Sequence, residues 1–205
     1  MELDEGCGHR SRGPDVASSV VAAAPDSPPA DVLHFSEDPT IERFQPHHAA
    51  TARDERALVW AVEHRRAPDY WFPRQCPRAM AWTTPTTTPE DADRILGPGG
   101  GDRVHAVEHR WLRRVAEAQV FVYRLPAETF SPVDASADPH AVVSEVAVEP
   151  LGPPEPLGDL LSLHGSAGIQ LRVLPALGDF WREVVRSTLG SSGIRLGNAV
   201  PPVRT

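Results

Sequence analysis

The chain contains no lysine at all. A P-loop phosphate lysine, a Schiff-base amine and a Ser-Lys dyad all require that side chain, so those chemistries are excluded. All 20 cationic side chains are arginines, set against 28 carboxylates for a formal charge of −8. The arginine-rich pieces, His64-Arg65-Arg66 and His109-Arg110-Trp111-Leu112-Arg113-Arg114, are short and flanked by acids. Counterion-release binding to nucleic acid is therefore not expected, and these pieces read as solvated helix faces. Two cysteines, Cys7 and Cys76, are too few for a disulfide framework, and the expected location is cytoplasmic. No window approaches the ~20 apolar residues of a membrane span. The thin run Val16–Ala24 behind Arg10 and Arg12 is broken by serines and preceded by Asp15, a poor match to a secretory signal. The oligomeric state is not legible.

What is present divides into three parts. Residues 1–30 are rich in Ala, Ser, Pro and Asp without a hydrophobic period, and are expected to be a disordered leader. Residues 31–199 read as one globular α+β domain with a mixed or split sheet and flanking helices, and 200–205 as a tail. A domain of this size buries roughly 70% of the surface of its unfolded chain, enough for a core without metal or disulfide. Leu58–Val62 and Arg78–Trp82 read as buried strands. Thr88 is an N-cap before Pro89, Glu90 and Asp91, opening a helix that should stop near Leu96, where Gly97-Pro98-Gly99-Gly100-Gly101 begins. Strands are expected over Arg103–Val107 and Gln119–Leu125, with a helix from Arg110 to Ala118 between them. A helix carrying Leu157, Leu160, Leu161 and His164 should precede the strand Ile169–Leu174. The apolar spacing of Leu177, Phe180, Trp181, Val184, Val185, Thr188 and Leu189 predicts one long amphipathic helix. Alternation of Ile194 and Leu196 predicts an edge strand in Ser191–Ala199.

Several motifs weaken on inspection. The glycine run 97–101 follows a helix, whereas a dinucleotide loop must follow a strand and open a helix. His105-Ala106-Val107-Glu108-His109 matches the His-x-x-Glu-His pattern of inverted zinc peptidases, with Glu183 as a distant third ligand. Two histidines share a face at that spacing only in a helix; on a strand they lie about 13 Å apart, so no metal site is expected. His47-His48 read as exposed loop residues. Cys76 reads as a half-buried structural residue, with a thiol activated by Arg74 and Arg78 as the alternative.

The richest stretch is Leu33-His34-Phe35-Ser36-Glu37-Asp38-Pro39-Thr40-Ile41-Glu42-Arg43-Phe44, a short strand that runs through His-x-Ser into an acidic turn. Together with Trp60-Ala61-Val62, Tyr70-Trp71-Phe72-Pro73-Arg74-Gln75-Cys76-Pro77-Arg78 and Ser192–Ala199, it resembles an uncharacterised bacterial family, the domain of unknown function 6886, from about Val32 to Ala199. More distantly, a strand His followed by an aromatic Tyr70-Trp71 resembles the opening of ADP-ribosyltransferase-like folds. That resemblance implies NAD as a ligand, His34 on its ribose and Tyr70 stacked on nicotinamide. It also implies a catalytic acid just ahead of a Val-Ser strand, where this chain has His140 and Ala141; Glu145 is the nearest substitute, displaced by about 13 Å along a strand.

The reading is thus a cleft for a nucleotide-like ligand lined by His34, Ser36, Tyr70 and Arg74. Arg195 would reach a ligand phosphate or pair with a carboxylate at the core rim. Glu145 is the candidate catalytic acid if transfer occurs. Two alternatives stand beside it: a non-catalytic interaction or regulatory module whose aromatics are core, and a zinc-dependent hydrolase.

Overall fold

A computed structural model describes residues 30–48, 56–135 and 140–201. The expected leader, apart from its last residue, and most of the expected tail lie outside the described residues. Strands and helices mix in an α+β arrangement of three small sheets. The first sheet holds β1 (Asp31–Ser36), β5 (Phe121–Pro126) and β8 (Glu155–Pro156), with β5 in the middle. The second, in the order β10-β3-β4-β9, holds β10 (Gly190–Ile194), β3 (Arg78–Trp82), β4 (Arg103–Glu108) and β9 (Gln170–Leu174); only the β4–β9 pair is parallel. The third joins β2 (Val59–Ala61), β7 (Val142–Ser144) and β6 (Ser131–Pro132).

Reciprocal 2.8 Å backbone hydrogen bonds between Leu33 and Val62 tie β1 to the end of β2. Both faces of β1 are thereby covered. Leu33 enters the larger core with Trp71, Phe72, Trp111 and Leu160, while Val32 enters a second core with Phe44, Tyr123 and Leu125. No helix among the described residues is long and apolar enough to cross a membrane.

Local chemistry explains the helices. α1 (Pro89–Ile95) starts where the Thr88 hydroxyl accepts from the Asp91 N–H at 3.3 Å, and Gly97, at φ 76°, takes the chain out of it. α2 (His109–Glu117) buries Trp111 and Val115, one turn apart, and leaves its arginines outward. α3 (Leu160–Ser166) is capped by Asp159, which accepts from Leu161 and Ser162 N–H groups at 2.9 Å. Leu157 lies outside that helix, in the connection that follows β8.

Three further expectations need correction. The amphipathic helix predicted over 177–189 is short, α4 (Gly178–Val184). The Asp91 carboxylate captures the Thr188 N–H and hydroxyl at 2.7 and 2.8 Å, pulling the chain off the helical path, and β10 begins at Gly190. The edge strand ends at Ile194, because Arg195 adopts φ 54° and Leu196–Asn198 forms a 3-10 turn, so Leu196 is not a strand residue. Cys76 is fully buried rather than half-buried, and desolvation pushes its thiol up to about 12, the opposite of an activated thiolate.

Candidate functional site

A cleft of about 340 Å³ opens where the end of β1, the end of β2 and the edge of β10 meet. His34, Ser36, Tyr70, Arg74 and Arg195, from four separate segments, all line it. Glu145 does not: it is exposed and pairs with Arg56 at 2.7 Å. The cleft also contains residues with no place in the reading from sequence, among them Glu37, His47, Trp60 and Arg78. His140 and Ala141, where the transferase resemblance expects an acid, are in its wall too.

Side chains of a strand alternate between faces, so His34 and Ser36 share one side of β1 while Phe35 takes the other. The contacts agree: the His34 ring packs on Phe44 at 4.6 Å, and Phe35 stacks nearly parallel on Tyr70 at 5.9 Å. The cleft therefore wraps the end of β1 and draws from both faces. Tyr70 closes a seven-residue 3-10 segment, His64–Tyr70, and its ring is already engaged by Phe35 and by the Arg78 guanidinium at 5.5 Å. It contributes to an apolar wall with Phe35, Trp60 and Phe72.

His34 is held in one tautomer. Its Nδ1 lies 2.7 Å from the Trp60 carbonyl oxygen, which can only accept, so Nδ1 carries the proton and Nε2 is left as an acceptor. Nε2 has no partner among the described residues. Burial, with Arg74 and His47 nearby, lowers the imidazole from 6.5 to about 4, so the ring is neutral at pH 7. The Ser36 hydroxyl accepts from the Asp38 N–H at 3.0 Å, and the turn that follows is pinned by Tyr123, whose hydroxyl donates to the Asp38 carbonyl and accepts from Ile41 N–H. Glu37 accepts from the Arg74 backbone N–H at 3.1 Å, bringing the acidic turn onto the Arg74 loop. The Trp60 indole N–H is buried with no acceptor among the described residues.

A buried polar chain packs against Phe72, one of the lining residues. Arg103 Nε donates to His105 Nε2 at 2.9 Å; His105 Nδ1 must then carry the proton and donates to His164 Nε2 at 3.1 Å; His164 Nδ1 donates to the Leu160 carbonyl at 2.6 Å. Both rings are essentially inaccessible, and desolvation lowers the pKa of each below 6.5. All four ring nitrogens are committed, leaving none for a metal ion. His105 sits on β4 and His109 opens α2, and Glu183 pairs with Arg94 at 2.6 Å. Among the described residues no group of three or more His, Cys, Asp or Glu side chains is placed to hold a metal.

Sequence reasoning missed Arg78 as a site residue. The available signal was a charged residue opening the otherwise apolar strand Arg78–Trp82, bracketed by the aromatic run 70–72. A family model described as a family of unknown function (DUF6886) matches residues 33–199, a span that contains every segment of the cleft. No curated protein and no solved structure matches the chain.

Proposed function

The chain belongs to this family of unknown function, DUF6886, and we propose that its members' shared domain binds a nucleotide-like ligand, NAD-type in its ribose and base, in the cleft at the end of β1. The observation that carries this reading is His34. A polar ring placed in a cleft wall, kept neutral, with one nitrogen committed to the backbone and the other left to accept, suits a ribose hydroxyl, which must donate to it. The apolar wall of Phe35, Trp60 and Tyr70 offers a surface for a planar base, and the cleft volume falls in the range of small-molecule sites.

The reading is one of binding, with transfer chemistry unsupported. Glu37 supplies the only carboxylate among the described lining residues and already accepts from Arg74 N–H. Glu145, the candidate acid, stands outside the lining. His140 and Ala141 put an imidazole and a methyl group where an acid would be needed to stabilise an oxocarbenium-like transition state.

The test is a thermal melt with NAD. A ligand at 100 times its dissociation constant stabilises a fold by about 2.7 kcal/mol, a rise easily seen. NAD should raise the melting temperature of the parent and leave that of His34→Ala unmoved, beyond the modest stability that variant loses with its Trp60 hydrogen bond. A parent indifferent to millimolar NAD, ADP and adenosine alike, or a His34→Ala variant that responds as the parent does, would end this reading.

A further inference from the structure

We propose that the floor of the cleft is a site for a multiply charged anionic group of the phosphate or diphosphate class, seated on Arg78 and flanked by Arg74 and Arg195. The proposal rests on the reading of the cleft as a ligand site and specifies which part of the ligand dominates its affinity.

The argument begins with a buried charge. Arg78 is 2% exposed, yet among the described residues no carboxylate lies within ion-pairing distance of it. Its Nε donates to the Asp69 carbonyl at 2.8 Å and its Nη1 to the Cys76 carbonyl at 3.0 Å, both neutral acceptors. Its Nη2 has no hydrogen-bond partner among the described residues. The guanidinium lies over Phe72 at 5.2 Å and Tyr70 at 5.5 Å, which orients the plane without neutralising it. A cation taken out of water is costly unless an opposite charge meets it, and a guanidinium does not shed its proton near neutrality.

The surroundings increase the imbalance. Asp69 is the buried carboxylate nearest this cluster, and its side chain is taken up by Arg103 and by Arg66 at 3.5 Å. Those two guanidiniums in turn lie against the Trp82 ring at 4.9 and 4.4 Å. Asp69 is thus taken up by Arg103 and Arg66, and its carboxylate is not paired with Arg78. Arg74 and Arg195 line the cleft beside Arg78, and Glu37 is the one carboxylate among the described lining residues. In a chain of formal charge −8 this concentration of positive charge is not a background property. A guanidinium with a free edge, in a cleft whose low-dielectric walls focus its field, is a seat for phosphate oxygens.

Isothermal titration calorimetry of the full chain with inorganic pyrophosphate, ADP and adenosine separates the two readings. ADP should bind at least tenfold tighter than adenosine, and pyrophosphate should bind alone, both weakening as salt rises. Arg78→Met, which removes the charge and keeps a side chain of similar length, should lower ADP affinity to the level the parent shows for adenosine. Arg195→Gln and Arg74→Gln, at the wall, should each weaken ADP and pyrophosphate several-fold, and these decide the matter if Arg78→Met does not fold. Equal affinity for ADP and adenosine, or arginine variants that bind ADP as the parent does, overturns the anion site while the nucleotide reading survives. Pyrophosphate bound without any gain from adenosine supports the anion site and removes the nucleotide. If none of the three binds, both readings fall.

Discussion

Lowering the pH from 7.5 to 5.0 should destabilise this fold through three histidines that it keeps neutral: His34, His105 and His164. Each has a folded pKa below the unfolded value of 6.5, so the unfolded chain binds more protons as pH falls. Their stabilisation is complete above about pH 6.5 and is lost progressively as pH drops toward and through the folded values. For His34, with a folded value of about 4, the linkage at pH 5 amounts to about 2 kcal/mol, a ceiling because the ring is partly open to the cleft. His105 and His164 act in the same direction, and with all three rings neutral the slope approaches ~4 kcal/mol per pH unit. With a urea m-value of about 2 kcal/mol/M, His34 alone moves the midpoint by about 1 M between pH 7.5 and 5.0, and the buried pair adds to this. Asp31 and Asp91, which their partners hold below 3.8, lose their contribution only at lower pH, whereas Asp69, raised by burial, takes up a proton more readily in the folded chain and opposes the histidines as pH falls. Urea titrations at the two pH values test the idea, with imidazole NMR titration assigning the protons. An unchanged midpoint, or a His105 or His164 resonance that titrates above pH 6 in the folded protein, would refute the reasoning.

Gly190→Ala should cost roughly 1–3 kcal/mol in the same urea assay, because a Cβ there would sit 2.2 Å from Trp82 Nε1 and 2.5 Å from its Cε2, and that indole is held between Arg66 and Arg103. Gly197→Ala, with nothing within 4 Å, is the control, and equal behaviour of the two variants would count against the close β10–β3 packing. In a Cys7→Ser variant, Cys76, buried and with its thiol pushed up to about 12, should resist an aromatic disulfide reagent until urea unfolds the chain; rapid labelling of that variant in its native state would contradict the burial.

The parts of the fold legible in the sequence are those decided within a few residues. Thr88 and Pro89 announce α1 because capping is a local hydrogen bond, and Arg78–Trp82 reads as a strand because its apolar run is short and flanked by proline. The shortened α4 was not legible, because what ends it is Asp91, a residue on another helix. The site divides in the same way. His34 and Ser36 are two apart on one strand, so their shared face follows from the strand period alone. That Tyr70 approaches the opposite face, against Phe35, depends on where the 3-10 segment lands, which no local pattern encodes. Arg78 was hidden for a related reason: the meaning of a buried charge lies in its partners, and these are carbonyls and rings brought in from residues 69–76. His105 and His164 carry no common motif, and only the packing of α3 against β9 and β4 makes them one chain of hydrogen bonds.

The position of Arg195 shows how the cleft can be exact although it is made from distant loops. A non-glycine residue at φ 54° persists only where its surroundings hold it. Here the next turn is clamped from two sides. The Asn198 amide donates to the Gln75 backbone and side-chain oxygens at 2.9 and 3.2 Å, binding the 3-10 turn to the loop that carries Arg74. Glu108, fully buried at the end of β4, accepts from Val200 N–H at 2.7 Å, from Leu177 N–H at 3.3 Å and from Arg110 Nε at 2.8 Å, and Arg110 also donates to the Asn198 carbonyl. A buried carboxylate is stable only when its lone pairs are met, and these donors meet them. Arg74 and Arg195 are therefore referenced to one another through Gln75–Asn198 and to β4 through Glu108, while Arg78 begins the neighbouring strand β3. Three arginines from separate loops and strands thus share one rigid frame, which is the condition for their charges to converge on a single group.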